Sequence, residues 1–299
     1  MIEKIIHTPV LKKEVLQYLN PGQNENFIDG TIGEGGHTRL ILEKNIPNGK
    51  VLGIDLDPAQ IETAKWMMAD YKDRLILENN SYVNIKEITE RKNFAPVNGI
   101  LLDVGMSSVH LQISQRGFSF QIDQSLDMRY SDKENLLTAE KIVNEWSQKD
   151  LEKIIEEYGE EKFAKKISEK IVEERKKGRI KSTFGLVKII KEVIPARFQK
   201  GKIHCATRTF QALRIAVNGE LENLERVLPI ALSILEKEGR LVVISFHSLE
   251  DRIVKNFFNK KAKEGLIKIL TKKPITAESA EIAKNPRARS AKLRAIIKI

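Results

Sequence analysis

The stretch NFIDGTIGEGGH, residues 26–37, decides the fold of this chain. A short apolar run ends in Asp29, and four glycines follow within the seven residues 30–36. The sequence GHTRLILEKN (36–45) then predicts a helix. A glycine-rich turn between a strand and a helix lets the backbone approach a ligand closely, as in nucleotide-type α/β folds. The alternative is an ordinary glycine-rich turn.

The pattern of strand and helix continues along the first third of the chain. Strands alternating with helical patterns of 10–15 residues indicate βαβ units and a parallel sheet. The predicted strands are 26–30, 50–57, 74–80 and 98–105, and the predicted helices are 36–45, 58–71 and 83–94.

The alternation of strands and helices stops after residue 110 and resumes at residue 207. Residues 111–206 contain apolar residues at helical spacing and lack a comparable buried strand. The helical patterns in this segment are 138–159, 161–178 and 183–194. After it, the sequence predicts a helical region at 207–235 with a break at Pro229, a strand at 239–246 and a helix at 248–261. The predicted closing strands are 266–271 and 291–299. We therefore predict an α/β fold: one doubly wound sheet of about seven strands, formed by 1–110 and 207–299, with an inserted all-helical domain at 111–206.

Charge and cysteine content indicate a partner and a compartment. The 299 residues carry a net charge of +10, concentrated at 161–202 (14 basic, 5 acidic) and at 260–299 (12 basic, 3 acidic). Two basic zones predict a polyanion such as nucleic acid, although solvated lysine-rich faces are the alternative. The single cysteine, Cys205, excludes an internal disulfide framework and a zinc knuckle and favours the cytoplasm. No run approaches the roughly 20 apolar residues of a membrane span, so we expect no membrane partner.

Acidic and aromatic residues follow the predicted strands, where open α/β sheets bind their ligands. Asp55 lies about 20 residues beyond Gly35, the spacing at which an acid meets a ribose hydroxyl pair. Asp57 is predicted to cap the helix that begins at Pro58. Tyr82, after the third strand, could pack beside an adenine or be a plain core tyrosine. Asp103 ends the fourth strand.

The glycine spacing helps to choose the cofactor. The dinucleotide pattern G-x-G-x-x-G is incomplete in residues 33–38, and Glu34 would oppose a pyrophosphate. S-adenosylmethionine has no phosphate, and its sulfonium charge is compatible with Asp29, Asp55 and Asp103 around one cleft. A nicotinamide dehydrogenase stays as a disfavoured alternative. The sequence contains no phosphate-binding loop, no serine-histidine-aspartate pattern and no metal-ligand pattern.

Several motifs together resemble the bacterial small-subunit rRNA cytosine-N4 methyltransferases, the RsmH/MraW family. Two of them, RTFQALRIAVN (208–218) and SFHSLEDR (245–252), are highly specific taken singly. The others are HTPVLKKEVL (7–16), FIDGTIGEGGHTRLIL (27–42), LGIDLDP (52–58), LLDVGMSSVHL (101–111), RGFSF (116–120), LDMRY (126–130) and NPRARSAKLR (285–294).

The resemblance implies a class I S-adenosylmethionine-dependent methyltransferase with an inserted substrate-recognition domain. It implies N4 methylation of one cytidine in the decoding region of 16S rRNA, in the small ribosomal subunit. By similarity, the cofactor contacts fall on Gly35, Gly36, His37, Asp55, Tyr82, Asp103 and His110. This chain has Val109-His110 where the family often has Pro-Gln, and Tyr82 where Phe is commoner. The family resemblance also allows a homodimer.

Asp103 has two possible roles, as a cofactor contact, which we favour, and as an acceptor for the cytosine amine, with the carbonyls of Val104 and Gly105 as further acceptors. His247 is a second catalytic candidate; alternatively it is a structural histidine at a helix start capped by Ser248. Phe118 and Phe120 could stack the base or anchor the insertion to the sheet. A non-catalytic RNA-binding assembly factor and a DNA amine methyltransferase stay open as functions that the same motifs allow.

Overall fold

The computed structural model describes residues 8–106, 115–132, 135–199, 201 and 203–299. Its internal contacts divide the chain into two compact units. The first unit comprises residues 1–107 and 221–299, and the second comprises residues 108–220. In the described part of the chain, no helix is both long and apolar enough to cross a membrane.

An eight-stranded sheet forms the first unit and confirms the doubly wound α/β prediction. The strands are β1 (Phe27–Asp29), β2 (Val51–Asp55), β3 (Leu75–Asn79), β4 (Gly99–Asp103), β5 (Arg240–Ser245), β6 (Ile267–Ile269), β7 (Ile275–Thr276) and β8 (Lys292–Lys298). Their order is β3-β2-β1-β4-β5-β8-β6, with the short β7 also pairing with β8. Strands β1 to β5 are parallel, and β8 is antiparallel to its neighbours. The strand order reverses between β1 and β4, which is where such sheets bind ligands.

Helices cover both faces of this sheet. They are α1 (Lys12–Leu19), α2 (Gly36–Lys44), α3 (Pro58–Met67), α4 (Ile85–Arg91), α11 (Glu220–Ile234), α12 (Ser248–Lys263) and α13 (Ser279–Lys284). Side chains alternate along each strand, so Leu101 packs in one core, whereas Ile100 and Leu102 pack in the other. Burial on both faces explains why the parallel strands are continuous apolar runs.

The second unit is helical in its described part. Its helices are α5 (Ala139–Glu145), α6 (Gln148–Glu157), α7 (Ala164–Arg175), α8 (Thr183–Val193), α9 (Ala196–Gln199) and α10 (Thr207–Asn218). The buried side chains recur at helical spacing, as Leu186 and Ile190 do in α8. One isolated β-bridge joins Ser125 and Ser182.

The structure divides two of the predicted helical regions differently. The predicted helix 138–159 is two helices, because the Ser147 side chain accepts the Asp150 amide and starts a new helix. The region 207–235 breaks at Gly219, whose φ of 59° ends α10, and Pro229 lies inside α11. The prediction of a break at Pro229 is therefore wrong, because the left-handed turn at Gly219 ends the first helix ten residues earlier.

Candidate active site

Asp29, at the end of β1, is a buried carboxylate with two local hydrogen bonds. Its Oδ2 accepts the Thr38 hydroxyl at 2.7 Å, and its Oδ1 accepts the Thr31 amide at 3.2 Å. Burial raises its pKa to about 6, although both hydrogen bonds and nearby His37 act in the opposite direction. Asp29 therefore fixes the turn after β1 to the first turn of α2.

The glycine loop after β1 turns sharply into α2. Gly35 has a φ of 82°, and an added Cβ there would lie 2.8 Å from Met68 Cγ. A side chain at this position would thus be strained as well as crowded. Gly36 is the first residue of α2, so its amide is among the free amides of a helix N-terminus.

Asp55, at the end of β2, is tied to this loop. Its Oδ2 accepts the Gly33 amide at 3.0 Å, and its Oδ1 accepts the Asp57 amide at 2.9 Å. These two hydrogen bonds hold the Asp55 carboxylate beside the glycine loop, at the edge of the sheet where such folds bind ligands. Asp57 accepts the Ala59 amide at 3.0 Å, which confirms its predicted capping of α3.

Asp103, at the end of β4, faces His37. The distance from Asp103 Oδ2 to His37 Nε2 is 3.6 Å, and the Asp103 side chain is 16% exposed. Its backbone amide donates to the Thr31 hydroxyl at 2.7 Å, while its Oδ1 accepts the Gly105 amide at 3.3 Å. The carboxylate is therefore held in place and still partly accessible.

His37 shows that this edge of the sheet suits a polar ligand. It is buried at the start of α2, yet neither ring nitrogen has a hydrogen-bond partner among the described residues. A buried polar group without a partner costs free energy, which a ligand's hydrogen bond would offset. The residues present therefore fit a polar, positively charged cofactor.

Of the two remaining residues predicted to contact the cofactor, the structure describes only Tyr82. Tyr82 begins a short 3₁₀ helix after β3 and packs against the core on the α4 side of the sheet. Its Cβ lies 3.5 Å from the position that a Cβ on Gly30 would take, next to the glycine loop. His110 lies outside the described residues.

His247 caps α12. Its Nδ1 accepts the Glu250 amide at 3.4 Å, and its Nε2 lies 3.0 Å from Glu250 Oε1. Glu250 in turn accepts the amides of Phe246 at 2.7 Å and His247 at 3.2 Å. The prediction that Ser248 is the cap is wrong, because His247 is the N-cap and its imidazole accepts the amide of Glu250, the third residue of α12.

The two phenylalanines of RGFSF have different surroundings within the second unit. Phe118 is buried and stacks on Tyr130, with a centroid distance of 5.4 Å. Phe120 stacks on His204 at 4.7 Å and meets Phe210 edge-on at 5.5 Å.

Sequence reasoning missed three residues that position this site. The Thr38 hydroxyl donates to the Asp29 carboxylate, the Thr31 hydroxyl accepts the backbone amide of Asp103, and Glu250 completes the capping box of α12. The glutamate three residues after His247 is a signal that could have found the capping box. Thr31 carries no comparable signal, because the partner of its hydroxyl, Asp103, lies 72 positions away in the chain.

A doubly wound sheet with a glycine loop after β1, an acid ending β2 and an acid ending β4 defines an S-adenosylmethionine-dependent methyltransferase. The chain belongs to the MraW methylase family, whose model matches residues 4–299. This membership confirms the resemblance and sets aside the dehydrogenase alternative.

Curated relatives are similar in sequence to this chain over nearly its whole length. A ribosomal RNA small subunit methyltransferase H from a Sulfurihydrogenibium species is 47% identical over 288 residues, covering 96% of this chain and 97% of the relative. The protein of the same name from Kosmotoga olearia is 46% identical, covering 98% and 97%. Among solved structures, an rRNA methylase from Streptococcus thermophilus has a TM-score of 0.44 at 8% identity, covering 96% of this chain and 93% of that one.

Proposed function

We propose that this protein methylates the exocyclic N4 of one cytidine in the decoding region of 16S rRNA, in the cytoplasm and on the small ribosomal subunit. Three features support the proposal: the family, the relatives' shared name as small-subunit rRNA methyltransferases, and the two basic zones. The carboxylate of Asp103, fixed at the end of β4, is the observation that carries the chemistry.

The cofactor site in this proposal is the edge of the sheet around the glycine loop. Asp55, at the end of β2 and held beside the glycine loop by the Gly33 and Asp57 amides, accepts hydrogen bonds from the ribose hydroxyls. His37 and the backbone of Gly35 and Gly36 supply further polar contacts. Tyr82 packs beside the adenine, and His110 is carried over from the family resemblance alone.

The carboxylates also suit the charge of the donor. Bound S-adenosylmethionine supplies an electrophilic methyl group on a positively charged sulfur. Asp29, Asp55 and Asp103 end three neighbouring strands, so their negative charges favour a cation at this edge. Asp29 is itself buried and hydrogen-bonded to two threonine groups, so its role is to position the loop.

Asp103 acts on the nucleophile. A cytosine amine is a poor nucleophile, because its lone pair is delocalised into the ring. Formation of the bond between N4 and the methyl carbon would break the methyl–sulfur bond and leave a neutral thioether. Positive charge develops on N4, and one N4 proton passes to the Asp103 carboxylate or to water. The Asp103 carboxylate and the carbonyls of Val104 and Gly105 accept hydrogen bonds from the amine and stabilise this charge. His247 is a second candidate near the amine, although its contacts with Glu250 already account for its position.

The helical second unit and the basic zones supply affinity for rRNA. Lysine and arginine contacts to phosphates provide binding energy and orientation without reading sequence. Base choice therefore depends on the pocket that receives the cytosine.

The test is methyl transfer from labelled S-adenosylmethionine to small subunits from a strain that lacks this gene. Free 16S rRNA and duplex DNA run alongside as acceptors. Label on the subunit or its rRNA, and none on DNA, is the expected result. If no acceptor is labelled while the cofactor binds, the protein is an assembly factor; if DNA is labelled, it is a DNA amine methyltransferase.

A further inference from the structure

The second unit contains a cavity of about 850 Å³ that the proposed chemistry does not use. Aromatic, aliphatic and basic side chains line it, chiefly Phe120, Phe184, Val187, Lys188, Lys191 and His204. This volume lies within the roughly 300–1,000 Å³ of sites that bind small ligands.

One face of α8 forms a wall of this cavity. Phe184, Val187, Lys188 and Lys191 recur at the three- and four-residue spacing that places side chains on the same face of a helix. Phe184 is 48% exposed, a large apolar surface left in contact with solvent. An aromatic ring and two lysines along one face combine a stacking surface with positive charge.

The opposite part of the lining is aromatic and held in place. Phe120 stacks on His204 with ring centroids 4.7 Å apart, and it also meets Phe210 edge-on. The segment that carries Phe120 is tied to α8, because Asp123 Oδ1 accepts the Phe184 amide at 3.1 Å. The Phe120 ring is thus held by its ring contacts, and the backbone of Phe184 is fixed next to the segment that carries Phe120.

His204 adds a directional hydrogen-bond donor. Its Nδ1 accepts the Ala206 amide at 3.2 Å, which leaves the ring proton on Nε2. Burial and the charge of Lys191 lower the pKa of His204, which favours this neutral tautomer. Nε2–H can donate to a carbonyl oxygen or a ring nitrogen of a nucleobase.

The charges of the lining favour an anion. In the described part of the chain, neither Lys188 nor Lys191 forms an ion pair. Glu192 also lines the cavity, but its Oε2 lies 3.5 Å from Lys170 Nζ, which offsets its charge. The two lysines are therefore available to a phosphate.

We propose that this cavity binds an unpaired nucleotide of single-stranded RNA, with the base stacked on Phe184 and the flanking phosphates on Lys188 and Lys191. Aromatic stacking with adjacent basic residues is how proteins hold single-stranded nucleic acid. The inference rests on the proposed function in one respect, namely that the polyanion bound by the basic residues is RNA. It adds a second RNA contact, separate from the residues that hold the reacting amine.

The test measures binding of a fluorescently labelled single-stranded RNA oligonucleotide to the full chain. Stacking on an aromatic side chain is worth about 1–3 kcal/mol per base, so Phe184→Ala should raise the dissociation constant at least about fivefold. Phe198→Ala is the matched control, because Phe198 is 49% exposed in the same unit but does not line the cavity. We expect Phe198→Ala to leave affinity within about twofold of the wild type, since it removes no stacking partner of the base.

A 2-aminopurine base in the oligonucleotide reports stacking directly, since stacking quenches its fluorescence. The wild type should quench it and Phe184→Ala should not.

The lysines are tested by the salt dependence of binding. Lys188→Gln and Lys191→Gln should each make the slope of log binding constant against log salt concentration shallower by about 0.7, as expected for the loss of one phosphate contact on a single strand. Equal affinity of Phe184→Ala and wild type, or equal loss with Phe198→Ala, would overturn the proposal and assign the cavity to another ligand. Because binding needs no methyl transfer, failure of the proposed reaction leaves this result interpretable.

Discussion

His37 Nε2 lies 3.6 Å from Asp103 Oδ2, which places the first turn of α2 beside the end of β4. Thr31 connects the loop after β1 to the same strand end, because its hydroxyl accepts the Asp103 amide at 2.7 Å. The glycine loop and the β4 carboxylate therefore form one positioned unit, in which a change on either side should affect both cofactor binding and turnover.

Replacement of Asp103 tests its action on the amine. Asp103→Ala removes the acceptor, and we expect turnover to fall by about 10²-fold or more, comparable to the loss of one preorganised group in other enzymes. Asp103→Asn keeps a neutral acceptor and should retain more activity. Turnover at saturating cofactor and the cofactor dissociation constant, measured by calorimetry, separate the two effects. Undiminished turnover and affinity in Asp103→Ala would refute the assignment.

Replacement of Asp55 tests the cofactor site. Asp55→Ala removes the acceptor of the Gly33 amide as well as the proposed acceptor of the ribose hydroxyls. Hydrogen bonds to a charged group are worth about 1.5–3 kcal/mol, so the dissociation constant for S-adenosylmethionine should rise about tenfold to a hundredfold. Asp57→Ser is the control, since serine preserves a helix cap and the backbone contact to Asp55. Equal affinities in both variants would exclude Asp55 as a ligand.

The raised pKa of the Asp29 carboxyl group predicts a specific pH dependence of the free energy of unfolding. Its pKa is raised from 3.8 to about 6 in the folded protein, so the folded state binds this proton more tightly than the unfolded chain does. This contribution stabilises the fold below about pH 4 and is lost as the pH rises through about 6. A tenfold change in proton affinity corresponds to about 1.4 kcal/mol, so the loss amounts to about 3 kcal/mol at pH 7.

Asp29→Asn removes this titration and keeps an oxygen for the Thr31 amide. The free energy of unfolding of Asp29→Asn, relative to wild type, should therefore increase between about pH 4 and pH 7. Denaturant unfolding at both pH values measures the change, with Asp70→Asn at an exposed position as the control. The same difference at both pH values would show that the Asp29 proton affinity is not altered by folding.

Replacement of His247 tests whether this residue is structural or catalytic. His247→Asn retains a good capping side chain and removes the imidazole. Because Nδ1 and Nε2 both face Glu250, we expect His247→Asn to keep most of its turnover. Glu250→Ala leaves two amides without their acceptor and should lower the melting temperature by several degrees. A large loss of turnover in His247→Asn at unchanged melting temperature would instead make His247 catalytic.

The sheet and its ligand edge could be predicted from the sequence because each strand is a compact apolar run with a marked end. Asp29, Asp55 and Asp103 each end such a run, and parallel strands end at one edge. The cap at Asp57 was equally clear, because a proline follows it.

Several features depend on contacts that sequence periodicity does not show. The strand Ile275–Thr276 is two residues long and exists because β8 provides a pairing edge. Asp55 also fixes Gly33, and Thr31 also fixes Asp103, across 22 and 72 positions of the chain. The helix break at Gly219 was missed because Pro229 is the stronger local signal, although Gly219 ends the helix through its left-handed φ.

The most direct test of the central claim identifies the methylated nucleoside. Small subunits labelled by the protein are digested to nucleosides, which are separated beside standards of N4-methylcytidine, 5-methylcytidine and 2′-O-methylcytidine. The account predicts that the label elutes with N4-methylcytidine and that it approaches one methyl group per subunit. Label in any other nucleoside would contradict the role given to Asp103 and the exocyclic amine.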